Sequence, residues 1–335
     1  MTKPVRRLLL VLLFLIAMAA AAVGAGAWWL GQPLSINQAS VELEIEPGTS
    51  PRGVAQAVVQ AGVDTDPRWL YYWFRLSQQD RQIRAGNYEI TAGTTPRSLL
   101  QKLVRGEESL RAITLVEGWT FRQVRAQIAA NEFLKHDTQT MTEAEIMAAL
   151  GKPGMAAEGR FFPDTYTFAK GSSELAVLRR AMRSMERHLQ QVWEQRAPDT
   201  PLRNMDEALI LGSIVEKETG RTSDRGQIAG VFVNRLRIGM RLQTDPTVIY
   251  GMGEAFDGNL RRRDLQTDTP WNTYTRAGLP PTPIALPGKD SMMAAVRPDA
   301  TKALYFVARG DGSSQFSATL DEHNRAVNRY QRGGQ

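Results

Sequence analysis

The sequence contains no cysteine among its 335 residues. The chain therefore has no disulfide, no thiolate ligand for a metal and no cysteine that could carry an N-terminal lipid. Its three histidines, His136, His188 and His323, stand far apart and lack the close spacing that is typical of a zinc site. We therefore expect packing alone to hold the domains together, each histidine to be an ordinary surface residue, and no bound metal.

A glycine-rich phosphate loop is also absent from the sequence, because the glycines are scattered as single turn residues. We therefore expect no cofactor. The 41 basic and 35 acidic residues give a net charge of +6, which is too small and too dispersed to indicate a nucleic-acid partner. This basic surplus suits an anionic polymer or an anionic membrane face, and it also suits an ordinary solvated surface.

One long apolar run is present near the N-terminus. Residues 8–30 carry no charge and would extend about 35 Å as a helix, which is enough to cross a bilayer. Three basic residues precede the run, so the positive-inside rule places the N-terminus in the cytoplasm and exports the rest. Two interpretations stay open: a retained anchor with Trp28 and Trp29 at the outer interface, or a signal peptide cleaved near residues 25–27.

Strand and helix signals divide the remainder of the chain. We predict five segments: a cytoplasmic N-terminus (1–7), a transmembrane anchor (8–30), a polar linker (31–40), a small α+β module (41–105) and a larger mixed α+β domain (106–335). The larger domain is predicted to end in a strand hairpin and a helix. The predicted fold class is therefore α+β, with a wholly helical, lysozyme-like domain as the alternative.

Glu218 is a carboxylate on the apolar side of a predicted helix. In the segment 205–219, at ~100° per residue, it lies on the same face as Ile214 and the apolar residues one turn earlier. Burial disfavours the ionised form, so we expect a raised pKa and a protonated carboxyl near neutral pH, the state that a general acid needs. Its neighbours Glu216 and Lys217 point away and are expected to be solvated. The alternative is that Glu218 pairs with a buried arginine.

Aromatic and hydrogen-bonding residues concentrate in a few segments. Residues 158–168 contain four aromatics, which predict either a wall that stacks on sugar rings or a buried strand and turn. Residues 241–251 and 271–275 are predicted loops whose hydroxyls, amides and rings suit a polysaccharide groove. The apolar, proline-rich segment 278–288 is predicted to be a rigid loop.

Several of these motifs together resemble the YceG-like family of endolytic murein transglycosylases. The similarity covers nearly the whole chain and is carried by four stretches: Ser213-Ile214-Val215-Glu216-Lys217-Glu218-Thr219, Asn234-Arg235-Leu236, Leu242 to Tyr250, and Tyr274-Thr275 with Gly278-Leu279-Pro280-Pro281. The resemblance implies a membrane anchor, a LysM-like module at 41–105 and a YceG-like catalytic domain that extends to the C-terminus. It also implies that the second glutamate of Glu-Lys-Glu-Thr, Glu218, is catalytic.

The implied reaction cleaves the β-1,4 bond between N-acetylmuramic acid and N-acetylglucosamine without water and leaves a 1,6-anhydro end. Glu218 would serve first as acid and then as base. Substrate contacts are expected from ten residues of the aromatic, helical and loop motifs: Asp164, Tyr166, Asn234, Arg235, Gln243, Thr244, Asp245, Tyr250, Asn272 and Tyr274.

A hydrolase would need a second carboxylate close to Glu218. The candidates for that second group are Asp245, Asp164, Glu216 and Glu158. We expect Asp245 and Asp164 mainly to hold loops or substrate. A water-using muramidase and a non-enzymatic scaffold that binds peptidoglycan remain the alternatives.

The resemblance also implies where the protein acts. It predicts a single-pass protein of the bacterial inner membrane, with a cytoplasmic N-terminus and a periplasmic catalytic part. Its partners would be peptidoglycan glycan strands, the inner membrane, and peptidoglycan synthases and other elongation proteins. The implied role is to terminate the elongation of nascent glycan strands.

Overall fold

The computed structural model describes residues 3–38, 40–107 and 110–333, with side chains described from residue 12 onward. The chain forms two compact units, Met1–Arg111 and Ala112–Gln335. Both helices and strands occur in each unit, so the predicted mixed α+β class is confirmed.

The first unit begins with one long apolar helix and continues as a small α+β fold. Its elements, in chain order, are α1 (Lys3–Leu30), β1 (Ser35–Ile36), β2 (Ser40–Ile45), α2 (Pro51–Gln60), β3 (Val63–Asp64), α3 (Pro67–Leu76), a 3-10 turn (Asp80–Gln82), β4 (Gly86–Thr91) and α4 (Pro96–Arg105). Within α1, the span Leu12–Trp29 has the length and mean hydropathy of a membrane-crossing segment. Those features also fit a signal sequence.

Local sequence signals explain where the short helices begin. Ser50 accepts a hydrogen bond from the Gly53 amide at the start of α2, and Thr95 and Ser98 form a reciprocal capping box on α4. Each such cap stabilises a helix by ~1 kcal/mol. Helices α2, α3 and α4 pack with the antiparallel β2–β4 pair around one apolar core.

The segment predicted as a linker is instead part of this unit. Leu34 is buried in the core, and its amide donates to the Thr94 carbonyl at 2.8 Å. The next two residues form β1, which pairs antiparallel with β3. The polar composition of residues 31–40 concealed this packing, because one buried leucine and backbone hydrogen bonds carry it.

The second unit surrounds a central group of helices with short strand pairs. Its elements are β5 (Leu110–Thr114), α5 (Phe121–Ala129), β6 (Leu134–Lys135), α6 (Glu143–Ala149), β7 (Thr165–Ala169), β8 (Ser172–Ser173), α7 (Glu174–Glu194), α8 (Met205–Glu218), α9 (Thr222–Arg237), α10 (Asp245–Met252), a 3-10 turn (Gly253–Ala255), α11 (Arg262–Gln266), α12 (Lys289–Val296), β9 (Tyr305–Ala308), β10 (Ser314–Ser317) and α13 (Leu320–Gln331). The predicted C-terminal hairpin and helix are confirmed as β9, β10 and α13.

Helix α8 is the centre of the larger core. Every residue from Ala208 to Val215 is buried, with α7, α9 and α12 packed around it. Gly212 has the Met292 backbone of α12 so close that an added Cβ would lie 3.1 Å from its Cα. A fully buried leucine or isoleucine contributes about 1.5–3 kcal/mol, so this packing fixes α8 and the residue at its end.

Two helices of this unit differ from the prediction. The segment 241–251 was expected to be a loop, but α10 begins at Asp245, where Pro246 occupies the first turn and Asp245 supplies an acidic residue at the helix N-terminus. Helix α12 was not predicted at all, because its eight residues follow the proline-rich loop without a side-chain cap. The predicted loop at 278–288 is confirmed as irregular backbone, and residues 283–288 are buried.

The aromatic segment at 158–168 belongs to the core. Phe161, Phe162, Tyr166 and Phe168 are each at most 9% exposed. The interpretation as a buried strand and turn is therefore correct, and a sugar-stacking wall at this position is not supported. The strand is β7, which pairs with β5.

Candidate active site

Glu218 is the last residue of α8, and the chain turns to extended backbone at Thr219. The preceding turn, Ile214 and Val215, is fully buried, whereas Glu218 itself is partly buried and faces a cavity. A carboxylate at a helix C-terminus meets the negative end of the helix dipole, which favours its protonated form. The helical periodicity therefore places this carboxyl at the edge of the core.

The surroundings of Glu218 raise its pKa to about 6 from an ordinary 4.5. Desolvation by burial is the largest cause of this rise. The Thr244 hydroxyl donates a hydrogen bond to Oε1 and lowers the pKa, whereas the negative charge of Asp245 raises it further. Arg235 lowers the pKa by the smallest amount. The raised pKa expected from the sequence is therefore present, and the carboxyl is poised to exchange a proton near neutral pH.

A group of buried threonines holds Thr244 in place. The Thr244 amide donates to the Thr273 hydroxyl at 3.1 Å, and the Thr247 hydroxyl donates to the Thr244 carbonyl at 2.7 Å. The hydroxyls of Thr247 and Thr273 lie 2.9 Å apart. All three residues are at most 2% exposed, so the hydroxyl that contacts Glu218 belongs to a rigid, fully bonded cluster.

Gln243, just before Thr244, has a left-handed backbone with φ of +47°. Such a conformation costs about 1 kcal/mol for a residue with a side chain. It turns the chain so that the exposed Gln243 and the buried Thr244 both line the same cavity. Strain of this kind concentrates at functional sites.

Asp245 and Arg235 complete the polar lining beside Glu218. The Tyr274 hydroxyl donates to Asp245 Oδ1 at 2.5 Å. Arg235 donates from Nε to the Leu304 carbonyl at 2.7 Å and from Nη1 to the Leu242 carbonyl at 2.5 Å. Two backbone carbonyls thus fix the guanidinium, which lines the cavity and carries further N–H groups of the kind that bind a ligand oxygen.

The cavity has a volume of about 660 Å³, within the range typical of ligand sites. Six residues predicted from the sequence line it: Glu218, Arg235, Gln243, Thr244, Asp245 and Tyr274. The cavity extends from them along β9 and α13, where the lining includes Tyr305, Leu320, His323, Asn324, Val327 and Gln331.

The α13 side of the cavity was not predicted. The sequence predicted only a closing helix here, although Leu320, Asn324, Val327 and Gln331 recur at the spacing of one helical face. His323 stacks on Tyr305 with ring centroids 5.2 Å apart, and burial followed by the Arg235 charge lowers its pKa. The expectation of an ordinary surface histidine was therefore wrong for His323.

The other two histidines also have specific contacts. His136 Nδ1 lies 2.7 Å from the buried carboxylate of Glu174, and the His188 ring stacks on Phe162 at 3.9 Å. Within the described ranges, no group of three histidine, aspartate or glutamate side chains could hold a metal ion.

Four of the ten predicted contact residues lie away from the cavity with their side chains bonded to other parts of the protein. Asn272 is fully buried, and its amide donates to three backbone carbonyls, including Thr267 at 2.7 Å. Asn234 donates to the carbonyls of Thr301 and Ala303. Tyr166 donates to the Phe162 carbonyl at 2.6 Å, and the ring of Tyr250 packs edge-on against Trp271. These contacts argue against direct substrate binding by any of the four.

Asp164 is exposed but also lies outside the cavity. Its Oδ1 accepts a hydrogen bond from the Thr165 amide at 2.7 Å, and its carbonyl accepts one from the Leu115 amide. It thus joins β7 to the end of β5. We therefore assign it a structural position, as expected for a residue that holds a loop.

Of the other carboxylates considered as partners of Glu218, only Asp245 shares its cavity. Glu158 is buried and accepts the Phe121 amide at 3.0 Å, which caps α5; burial raises its pKa to about 7. Glu216 was expected to be solvated, but it accepts the Gly288 amide at 2.9 Å, and Lys217 donates to the Gly118 carbonyl. These two residues therefore join α8 to neighbouring loops.

A family model described as the YceG-like family matches residues 43–329. The chain belongs to the YceG-like family. An endolytic murein transglycosylase of Bacillus subtilis is 31% identical over 314 residues, which cover 88% of this chain and 86% of the relative. One from Streptococcus pneumoniae is 24% identical over 329 residues, covering 88% of this chain and 59% of the relative.

The fold of the family is also visible in a solved structure. A YceG-like protein from Listeria monocytogenes aligns with a TM-score of 0.55 and 29% identity, over 85% of this chain and 98% of that one. The chain thus shares the YceG-like fold.

Proposed function

We propose that the chain is a membrane-anchored endolytic lytic transglycosylase that cleaves the β-1,4 bond between N-acetylmuramic acid and N-acetylglucosamine in peptidoglycan. The name of the Bacillus subtilis relative supports the activity. The observation that carries the assignment in this chain is the carboxyl of Glu218, which opens on a cavity and has a pKa of about 6. Such a group can give and take a proton at the pH where the protein works.

In the first step, protonated Glu218 donates its proton to the glycosidic oxygen. The bond from C1 of the muramoyl sugar to that oxygen breaks, and the N-acetylglucosamine side leaves with a free hydroxyl. Positive charge develops at C1 and the ring oxygen, as in other glycosidic cleavages. The nearby negative charge of Asp245, which raises the pKa of Glu218, favours both the protonated acid and this developing positive charge.

In the second step, ionised Glu218 accepts the proton of the C6 hydroxyl of the same muramoyl sugar. The C6 oxygen bonds to C1, which closes the 1,6-anhydro ring and restores protonated Glu218. The overall reaction consumes no water. Because Thr244 holds Oε1 by a hydrogen bond, we assign the proton transfers to Oε2.

One carboxyl is sufficient for this sequence of steps, whereas a hydrolase needs a second one as nucleophile or water-activating base. The only other carboxylate that lines the cavity, within the part of the chain that the structure describes, is Asp245. One of its oxygens is bound by the Tyr274 hydroxyl at 2.5 Å. This contact supports a positioning and electrostatic role for Asp245.

The remaining cavity residues are proposed to hold the glycan. Arg235 and Gln243 offer N–H donors to acetamide or hydroxyl oxygens, and Tyr305 with Leu320 offers apolar surface to a sugar ring. Asn324 extends the polar lining along α13. A cavity that is lined on two sides suits a glycan strand that passes through it, and cleavage within a glycan strand requires such a passage.

The anchoring and location form a further part of the proposal. Helix α1 would span the inner membrane with its N-terminus in the cytoplasm, as the three basic residues before its apolar run indicate. The catalytic unit would then face the periplasm and meet nascent strands near membrane-bound synthases. The module at 41–105 is proposed to be LysM-like, and the segment from 106 onward to be the catalytic domain.

Mass spectrometry of the products tests the assignment. Full-length protein in nonionic detergent would be incubated with purified peptidoglycan beside its Glu218→Gln form, with Glu216→Gln as a matched control on the same helix. We expect 1,6-anhydro ends from the wild type and from Glu216→Gln, and none from Glu218→Gln.

Other outcomes identify the alternatives. Reducing ends would mean a hydrolase. Cleavage that persists in Glu218→Gln would move the catalytic group elsewhere, and no cleavage by the wild type together with retained binding would indicate a scaffold.

A further inference from the structure

Helix α3 presents an apolar face to solvent. Trp69, Tyr72 and Leu76 are 62%, 56% and 80% exposed, and their spacing of three and four residues places them on one side of the helix. The opposite side, with Leu70 and Phe74, is fully buried in the core of the first unit. Single exposed apolar residues are common, but a contiguous group on one helix marks a contact surface.

This face adjoins the end of the apolar helix α1. Trp29, one residue before the end of α1, packs partly buried against the core of the first unit, and its ring centroid lies 6.5 Å from that of Trp69. The turn after α1 is tight, because the amide of Gly31 donates to the Trp28 carbonyl. Since Leu34 is already in the core, the unit is held directly against the end of α1.

This contact sets the height of the face relative to a bilayer. The span Leu12–Trp29 is about 27 Å long as a helix, close to the ~30 Å of a hydrocarbon core. If α1 crosses the membrane, Trp29 lies at the outer interface, and Trp69 lies at the same level because their rings are in contact. Tryptophan and tyrosine are the side chains that favour this region.

Charges at the edge of the face fit the same environment. Arg68 and Arg75 flank it, and each forms an ion pair through an exposed guanidinium, with Asp66 at 2.7 Å and with Asp80 at 3.0 Å. These two pairs add polar groups to the rim and no net charge. We therefore expect attachment through the aromatic residues, with similar strength on zwitterionic and anionic lipids.

We propose that the exposed face of α3, formed by Trp69, Tyr72 and Leu76, lies in the lipid–water interface of the bilayer that α1 spans. The inference rests on the proposed anchoring of the chain by α1. It gives the first unit a second membrane contact beside α1, which fixes its orientation on the membrane surface. Stacking on a glycan is the competing use of such aromatics, but it does not explain the contact with Trp29.

Single-cysteine labelling tests the proposal, because the natural chain has no cysteine. Full-length Tyr72→Cys would be labelled with an environment-sensitive fluorophore and reconstituted in phosphatidylcholine vesicles that contain nitroxide lipids, either shallow or deep. Leu15→Cys, within the span of α1, reports anchoring. Glu44→Cys, on the exposed side of β2, is the matched control in the same unit.

We expect the label at 72 to be quenched several-fold more than the label at 44, and more by shallow than by deep nitroxides. The label at 15 should be quenched best by deep nitroxides. Quenching at 15 without quenching at 72 would overturn the α3 proposal and leave the anchor intact. Quenching at neither site would overturn both, while quenching at 72 alone would support surface attachment and overturn the anchor.

A second variant separates attachment by α3 from simple proximity to α1. Trp69→Ser with Leu76→Ser, introduced into the labelled Tyr72→Cys chain, removes the apolar groups but keeps the label and α1 unchanged. We expect the quenching at 72 to fall to the level measured at 44. No decrease would mean that α1 alone sets the depth, and the proposed contact would be overturned.

Discussion

The raised pKa of Glu218 predicts that its neutral replacement stabilises the protein in a pH-dependent way. The pKa rises from 4.5 to about 6, and each pKa unit corresponds to ~1.4 kcal/mol. Ionised Glu218 therefore destabilises the folded state by about 2 kcal/mol relative to the unfolded chain. Glu218→Gln removes this charge, and its amide oxygen can still accept the Thr244 hydroxyl.

The pH dependence of this gain follows from the pKa of Glu218 in the folded and in the unfolded chain. Below pH about 4 the carboxyl is protonated in both the folded and the unfolded chain, so it contributes no difference. Above pH about 6 it is ionised in both, and only the folded state bears the desolvation cost. Glu218→Gln should therefore gain up to about 2 kcal/mol near pH 8 and nothing near pH 4.

Equilibrium unfolding of full-length protein in nonionic detergent measures this difference. Tryptophan fluorescence follows the transition, and Trp193 and Trp271, which pack against the core of the second unit, contribute the signal of that unit. Glu216→Gln serves as control. The Glu216 carboxylate accepts the Gly288 amide, which a neutral side chain binds less well, so this variant should gain no stability. An equal gain for Glu218→Gln at both pH values, or no gain at all, would refute the assigned environment of Glu218.

Three further predictions concern the cavity. Thr244→Val removes the hydrogen bond that lowers the pKa of Glu218, so the descending alkaline limb of the kcat/KM profile should move up by roughly one pH unit; an unchanged limb would contradict the role of Thr244. Gln243→Gly relieves the left-handed strain and should raise the unfolding free energy by about 1 kcal/mol while glycan cleavage slows; a loss of stability would show that the strain is misassigned. Asn324→Ala, on the α13 side of the cavity, should raise KM for glycan strands roughly five- to tenfold with kcat little changed; an unchanged KM would remove α13 from the proposed binding surface.

The sequence could locate Glu218 because helical periodicity is local. A carboxylate four residues after Ile214 must share its face if the segment is a helix, and burial then raises the pKa. The partner of Glu218 was not predictable in the same way. Thr244 contacts it across 26 positions of sequence, and the contact depends on the path of α9, the turn at Gln243 and the threonine cluster.

The residues that were wrongly predicted to contact substrate were mispredicted for one physical reason. Asn272 and Tyr166 have groups that suit sugar recognition, but the same groups satisfy buried backbone carbonyls. Composition cannot distinguish the two uses, because both need a donor beside an apolar surface. The α13 residues were missed for the opposite reason, since a face with Leu320 and Asn324 resembles any exposed amphipathic helix until β9 is packed beside it.

Cleavage in heavy-oxygen water tests the central claim most directly. Full-length protein would digest purified peptidoglycan in this solvent, and mass spectrometry would examine each new muramoyl end. A reaction in which Glu218 transfers the C6 proton uses no water, so we predict 1,6-anhydro ends free of the heavy isotope. One heavy oxygen at each new reducing end would show that water attacks C1, which contradicts ring closure by the C6 hydroxyl and the role of Glu218 as its base.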